Sequence, residues 1–143
     1  MTTMVDALPV HLQRSVADFV TFLETSGQTT SDGLFAPDAF AVLTFPTWRV
    51  QVEGGEALVQ ARRRMHPQPG IVRLEKAVAT ADGWAVKLEE RWENGGQQWY
   101  CREGFIADLD EQGRIIDFTL YCTGDWDEAR VAEHARAVTL LRP

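Results

Sequence analysis

Long apolar runs, a surplus of basic residues and a dense set of cysteines are all missing from this sequence, and each shortage removes a class of protein. No run approaches the roughly 20 apolar residues needed to span a bilayer, so no membrane-crossing helix is expected. The 14 lysines and arginines are outnumbered by 21 aspartates and glutamates, a net charge of −7, which makes binding to nucleic acid or an anionic membrane electrostatically unfavourable. The only two cysteines, Cys101 and Cys122, form neither a metal-ligand spacing nor a disulfide framework, and read as buried free thiols. There is no HExxH, phosphate-binding loop, dinucleotide glycine pattern or nucleophile elbow, and Ser15, Ser26 and Ser31 have no triad context; no metal or cofactor is expected. Met1–Val10 lacks a basic start and carries Asp6 and Pro9, so it does not read as a signal peptide, and the expected location is the cytoplasm.

With 45% hydrophobic, 10% aromatic and 24% charged residues, the composition is that of an ordinary globular protein. A chain of 143 residues suits one domain over its whole length, burying roughly 68–70% of its unfolded surface. Leu12, Val16, Phe19, Val20 and Leu23 recur at helical spacing and predict an amphipathic helix from Pro9 to about Thr25, stopped at Gly27. A short helical turn is expected over Ser31–Phe35, ended by Pro37. Two paired strands follow, Ala39–Phe45 and Thr47–Val52, then a helix from Gly54-Gly55 to Met65 closed by His66-Pro67-Gln68-Pro69-Gly70. Strands over Ile71–Thr80, Gly83–Glu93, Gln97–Leu109 and Arg114–Cys122 form three successive hairpins. A last helix over Trp126–Leu141 places Val131, Ala135, Val138 and Leu141 on one stripe, with Asp125 or Asp127 available as its cap.

Alternation along those hairpins sorts the residues into two faces. A two-residue turn at Gly95-Gly96 sets Trp92 opposite Trp99, Glu90 opposite Cys101, Leu88 opposite Glu103 and Val86 opposite Phe105. The turn ending at Gly113 sets Ala107 opposite Ile116, Phe105 opposite Phe118, Glu103 opposite Leu120 and Cys101 opposite Cys122. The shared face then carries Trp84, Val86, Leu88, Trp92, Trp99, Cys101, Phe105, Ala107, Ile116, Phe118 and Leu120, with only two charges, Glu90 and Glu103. A slip of one residue destroys this separation, so the sorting supports the register.

The order helix, short helix, two strands, helix and long antiparallel meander resembles the nuclear transport factor 2-like superfamily, in its polyketide-cyclase-like branch, often called SnoaL-like. Leu34-Phe35-Ala36-Pro37-Asp38, Gly55-Glu56-Ala57-Leu58-Val59, Gly113-Arg114-Ile115-Ile116 and Tyr121-Cys122-Thr123-Gly124-Asp125-Trp126-Asp127 carry the resemblance. It implies an α+β fold, a curved, mostly antiparallel sheet wrapped by helices into a cone, with an apolar pocket inside and dimerisation commonly through the outer sheet face. A homodimer is expected there, with Tyr100, Arg102, Thr119 and Tyr121 at the contact. Members include ketosteroid isomerases, cyclases, dehydratases, epoxide hydrolases and non-catalytic binders, so the fold leaves the activity open.

Within that frame Glu90 and Glu103 are the candidate acid and base, because a carboxyl among Trp, Phe and Leu is desolvated and its pKa raised towards neutrality. The other reading is structural: one or both pair with a cation such as Arg73, expected to face Glu90 across the Ala81-Asp82 hairpin. His66 is the histidine placed where the mouth of a cone lies; it is a third catalytic candidate or a solvated loop residue. Trp48, Trp92, Trp99, Phe105 and Phe118 are candidate pocket walls for a small apolar or aromatic metabolite, with Arg73 beside them. Tyr121 is a lesser candidate. Arg62-Arg63-Arg64 reads as a solvated basic face. Arg91-Trp92-Glu93 superficially resembles the Arg-x-Asp pair of limonene-epoxide-hydrolase relatives, but parity turns Arg91 and Glu93 to the polar face and Leu120 stands where the second Asp is needed. The ketosteroid isomerase base, an Asp just before a Pro, is also missing from Leu43-Thr44-Phe45-Pro46. The expected function is cofactor-independent proton-transfer chemistry of secondary metabolism, a cyclisation, isomerisation or dehydration of a small apolar carbonyl compound. The alternative is a non-catalytic module binding a hydrophobic ligand or a protein partner.

Overall fold

A computed structural model describes residues 4–142; Met1, Thr2, Thr3 and Pro143, the ends of the span read as one domain, lie outside the described residues. Helix α1 (Val10–Glu24) is followed by β1 (Phe35–Thr44), β2 (Arg49–Glu53), α2 (Gly55–Met65), β3 (Gly70–Ala79), β4 (Gly83–Asn94), β5 (Gln97–Leu109), β6 (Ile115–Cys122) and α3 (Glu128–Ala137). The strands form one sheet in the order β2-β1-β6-β5-β4-β3. All neighbours are antiparallel except β1 and β6. Among the described residues no helix is long and apolar enough to cross a membrane.

The β4–β5 pairing follows the sequence reading residue for residue, with Glu90 opposite Cys101 and Leu88 opposite Glu103. Between β5 and β6 the register is displaced by two residues: Ala107 faces Phe118, Phe105 faces Leu120 and Glu103 faces Cys122. One residue comes from the turn, where Asp110 N–H donates to the Arg114 carbonyl at 2.8 Å and leaves a three-residue loop with Gly113 at φ +79°. The other is a bulge between Leu109–Ile115 and Asp108–Asp117, which turns Ile116 outward to 39% exposure and buries Ile115 in its place. A shift of two preserves parity, so the rest of the face is unchanged.

Two other expectations are corrected. No helix forms over Ser31–Phe35; the strand begins at Phe35 and passes through Pro37, where the ladder to β6 is interrupted between Phe35 and Phe40 and β2 has not yet joined, a stretch that tolerates a missing N–H. Helix α3 stops at Ala137 because β-branched Val138 turns extended, and none of its residues is buried. Its cap is as expected, Asp127 accepting from Arg130 N–H at 2.9 Å. On the outer face, Tyr100 packs against Trp126 and Arg102 pairs with Glu75.

The inner face of the sheet closes on α1. Phe19 sits at the centre, its ring 4.8–5.9 Å from Phe22, Trp84, Phe105 and Phe118. Fully buried Trp84 needs a partner for its indole N–H, and finds it in Ser15 Oγ on α1 at 2.9 Å. Ser15→Ala removes that acceptor and leaves a buried donor unpaired. Urea unfolding should show a loss of about 1–3 kcal/mol, and Ser15→Thr, which keeps the hydroxyl, should recover part of it.

Candidate functional site

Where α1 ends, the concave face is left partly uncovered and a cavity of about 500 Å³ opens between the sheet, α1 and α2, within the size range of small-molecule pockets. Its body is apolar, built from Phe19, Phe22, Leu58, Phe105, Phe118 and Leu120. Its polar residues gather at one end: Arg62, His66, Cys101, Glu103, Cys122 and Asp125.

Helix α2 delivers the first two. Leu58 and Ala61 are its buried residues, and Arg62, Met65 and His66 continue the same three- and four-residue spacing, so one stripe of the helix faces the cavity. Arg62 is buried, with only 12% of its side chain exposed. Its Nη2 donates to Glu90 Oε1 at 2.6 Å and to the Leu23 carbonyl at 2.8 Å. His66 follows the last turn, its backbone N–H on the Arg62 carbonyl, and Pro67 prevents the helix continuing. The imidazole meets Trp92 edge-on with centroids 4.3 Å apart, and both ring nitrogens are buried without a hydrogen-bond partner.

Glu90 and Glu103 are diagonal neighbours on the inner face, one pairing step apart across β4 and β5. Burial opposes the charge on Glu90, but a hydrogen bond with Glu103 and the Arg62 guanidinium outweigh it and hold the carboxyl below its usual range. Glu103, 7% exposed, is pushed well above that range by burial and by the negative charge of Glu90. Of the two carboxyls, Glu103 is therefore the one that holds a proton the more tightly. Glu103 Oε1 has no hydrogen-bond partner. His66 is lowered by burial first and by Arg62 second, against the opposite pull of Glu90 and Asp125; it is a neutral imidazole. Asp125 is raised by burial.

The sequence candidates are thus divided. Glu103, His66, Phe105, Phe118 and Trp48 line the cavity, Trp48 at its rim with 67% exposure. Glu90 stands behind Glu103 as the partner of Arg62. Trp92 backs His66 and does not line the cavity, and Trp99 folds back to donate its indole N–H to the Asn94 carbonyl at 3.2 Å. Arg73 is not the partner of Glu90: β3 sets Val72 opposite Glu90 and Arg73 opposite Glu89, on the outer face, where Arg73 Nε lies 3.3 Å from Glu89 Oε1. Tyr121 also points outward. The arginine run is not a solvated face, since Arg62 is buried and Arg63 donates to the Gly27 carbonyl at 3.1 Å. The sequence reading takes Arg62 for a solvated residue and Asp125 for a possible helix cap, and so misses both as cavity residues; the i, i+4, i+8 relation of Leu58, Arg62 and His66 is the signal that finds Arg62.

No family model and no curated protein matches the chain. Solved structures do. An epoxide hydrolase of M. tuberculosis described as LEH-like is 17% identical, with a TM-score of 0.61 over 88% of this chain and 90% of that one. A steroid delta-isomerase of Pseudomonas aeruginosa is 18% identical, with a TM-score of 0.54 over 91% and 90%. A protein of Catenulispora acidiphila with a ketosteroid isomerase-like fold, solved with trimethylamine, is 14% identical, with a TM-score of 0.59 over 76% and 85%. At these identities the likeness shows the fold alone, the α+β cone of the nuclear transport factor 2-like proteins.

The two glutamates should respond oppositely to loss of charge. Glu90→Leu strands Arg62 on the dry side of the sheet and should destabilise by about 3–5 kcal/mol. Glu103 has a raised folded pKa, so the native state keeps a proton that the unfolded chain releases above about pH 4.5; stability then falls with rising pH by up to about 1.4 kcal/mol per unit until the folded pKa is reached. Glu103→Gln removes that slope. Thermal melts from pH 4.5 to 7.5 should show the variant gaining on wild type as pH rises, and a constant difference would contradict the assignment.

Proposed function

We propose that the cavity binds a small, mostly apolar carbonyl compound and catalyses proton transfer on it without a cofactor, as in the polyketide-cyclase-like branch of secondary metabolism that the sequence resembles. The observation that carries this reading is the set of orphaned polar atoms: Glu103 Oε1 and both nitrogens of His66, buried and unpartnered on residues lining one apolar cavity. Buried polar groups without partners are expensive in a free protein, and a ligand offering one oxygen and an adjacent acidic C–H engages Glu103 and one of the two imidazole nitrogens.

In this reading His66, already neutral, takes a proton from the carbon next to the carbonyl. Glu103 keeps its own proton at neutral pH and supplies the O–H that holds the developing enolate oxygen, in the way a carboxylic acid kept neutral by an apolar site can. In the free protein that O–H is hydrogen-bonded to Glu90 and turns from it to the ligand, a loss lessened because Arg62 keeps Glu90 charge-paired. Return of the proton from His66 to another carbon completes an isomerisation; attack of the enolate carbon on a second carbonyl, whose new alkoxide takes up the proton held by His66, completes a cyclisation. The chemistry of the two enzymes named among the structural neighbours is less well supported: Leu120 and Phe45 line this cavity where the sequence lacks the epoxide-hydrolase Asp and the isomerase base.

Solvent deuterium exchange into a panel of small cyclic ketones, followed by NMR, tests the proposal. Exchange should be accelerated by wild type and fall roughly 10²–10⁴-fold in His66→Ala and about 10²–10³-fold in Glu103→Gln. Because the imidazole must be unprotonated and its pKa is lowered, the rate should hold through pH 6.5 and decline only below it. Ketones bound with no exchange above background would establish the non-catalytic binder instead.

A further inference from the structure

The polar end of the cavity contains a second arrangement, of which the proton chemistry uses only Glu103. Cys101 and Glu103 are two residues apart on β5, both turned to the inner face, and β6 sets Cys122 directly opposite Glu103. Their donor atoms, two sulfurs and a carboxyl oxygen, all lie within 4.8 Å of one another. All three residues line the cavity, and Glu103, more than nine-tenths buried, carries an oxygen with no partner.

We propose that Cys101, Glu103 and Cys122 form a site for one soft divalent cation, Zn²⁺ by chemistry, with its fourth coordination position open to the cavity. Two thiolates select zinc over magnesium or calcium, which take oxygen ligands. Tetrahedral zinc with Zn–S about 2.3 Å and Zn–O about 2.0–2.2 Å holds its ligands roughly 3.5–3.8 Å apart. Three donors already within 4.8 Å close to that spacing by side-chain rotation of about 1 Å, with no change in the ladder. Orienting partners are in place as well: Gly124 N–H donates to Cys122 Sγ at 3.3 Å, and Glu90, fixed by Arg62, holds Glu103 from behind, the kind of outer contacts that position metal ligands.

Loading requires the thiols and Glu103 to give up their protons, so affinity rises with pH and binding acidifies an unbuffered solution by up to three protons per metal. The site shares Glu103 with the proposed proton chemistry and opposes it, because a cation on Glu103 replaces the proton that the enolate oxygen needs. Zinc is therefore an inhibitor of any ketone exchange the protein performs.

The test uses the full chain, reduced and free of oxygen, titrated with Zn²⁺ and separately with Co²⁺. One metal per chain should bind, and cobalt should produce near-ultraviolet thiolate-to-metal charge transfer. Cys122→Ser should keep a weakened band, the Cys101→Ser, Cys122→Ser pair should lose it, and Glu103→Gln should keep it with affinity reduced roughly tenfold or more. Melts of each variant without metal establish that the serines fold. Absence of the charge-transfer band in folded wild type overturns the site, as does equal binding by the double serine variant. Neither result touches the ketone experiment, which is read in chelator-treated protein.

Discussion

Arg62 places a guanidinium against Glu90 Oε1 on the dry side of the sheet, and the polar half of the cavity is organised around that one contact. The same side chain donates to the Leu23 carbonyl at the end of α1, so a single cation ties α1, α2 and β4 together where the core thins into a cavity. It also shifts the protonation of its neighbours. Burial raises Glu103 and the negative charge held on Glu90 raises it further, while burial lowers His66 and the Arg62 guanidinium lowers it further. Beside that ion pair stand a carboxyl raised above its usual range and an imidazole lowered below its own, both lining the one cavity.

Such a pair is not the cheapest way to fill this space. Desolvating two charges costs several kcal/mol per ion, and well-packed apolar residues of similar volume are often as stable or more so. Glu89, the next residue of β4, gives the contrast. It faces outward among Arg73, Arg91 and Arg102, all substantially exposed, at 3.1–3.7 Å. Those arginines remain in water, where such pairs contribute about 0–1 kcal/mol, and the loss of any one leaves two others. Glu90 has a single buried cation, and Glu103 has none of its own. Redundancy on the wet face and its lack on the dry face are what a site, rather than a scaffold, requires.

Much of this was legible in the strands. The Gly95-Gly96 turn fixes the β4–β5 register, and alternation alone brings Glu90, Glu103 and Cys101 onto the apolar face. The β5–β6 register escaped because Gly113 closes a three-residue loop and Ile116 forms a bulge; neither leaves a mark in hydrophobic alternation, since Ile115 and Ile116 are equally apolar. The two cysteines lie 21 positions apart, so no local spacing announces them, although parity puts both on the inner face. Arg62 was hidden by its neighbours: in a run of three arginines on a helix, only the angular position relative to Leu58 and His66 distinguishes the one that turns inward. Arg73 was misplaced for a comparable reason. The bulge in β3 between Leu74 and Lys76 breaks parity counting across that hairpin, and a side chain counted as facing Glu90 belongs beside Glu89.

The inner face of the sheet is graded along its strands. On β4 the sequence runs from Trp84 through Val86 and Leu88 to Glu90, and on β5 from Ala107 through Phe105 to Glu103 and Cys101. The apolar ends lie under α1, where Ser15, Val16 and Phe19 cover Trp84; the polar ends lie where α1 has stopped and α2 takes over with Arg62 and His66. The change of covering helix therefore coincides with the change from packing to polarity. A ligand entering past Trp48 meets an apolar wall along its length and polar atoms at one end only. Such a cavity orients an amphiphilic molecule without gripping its body, since dispersion against Phe19, Phe105 and Phe118 tolerates variation in shape while an unmet buried donor or acceptor does not. Under the proposed function, selectivity in this cone rests accordingly on where a substrate carries its oxygen more than on the outline of its carbon skeleton.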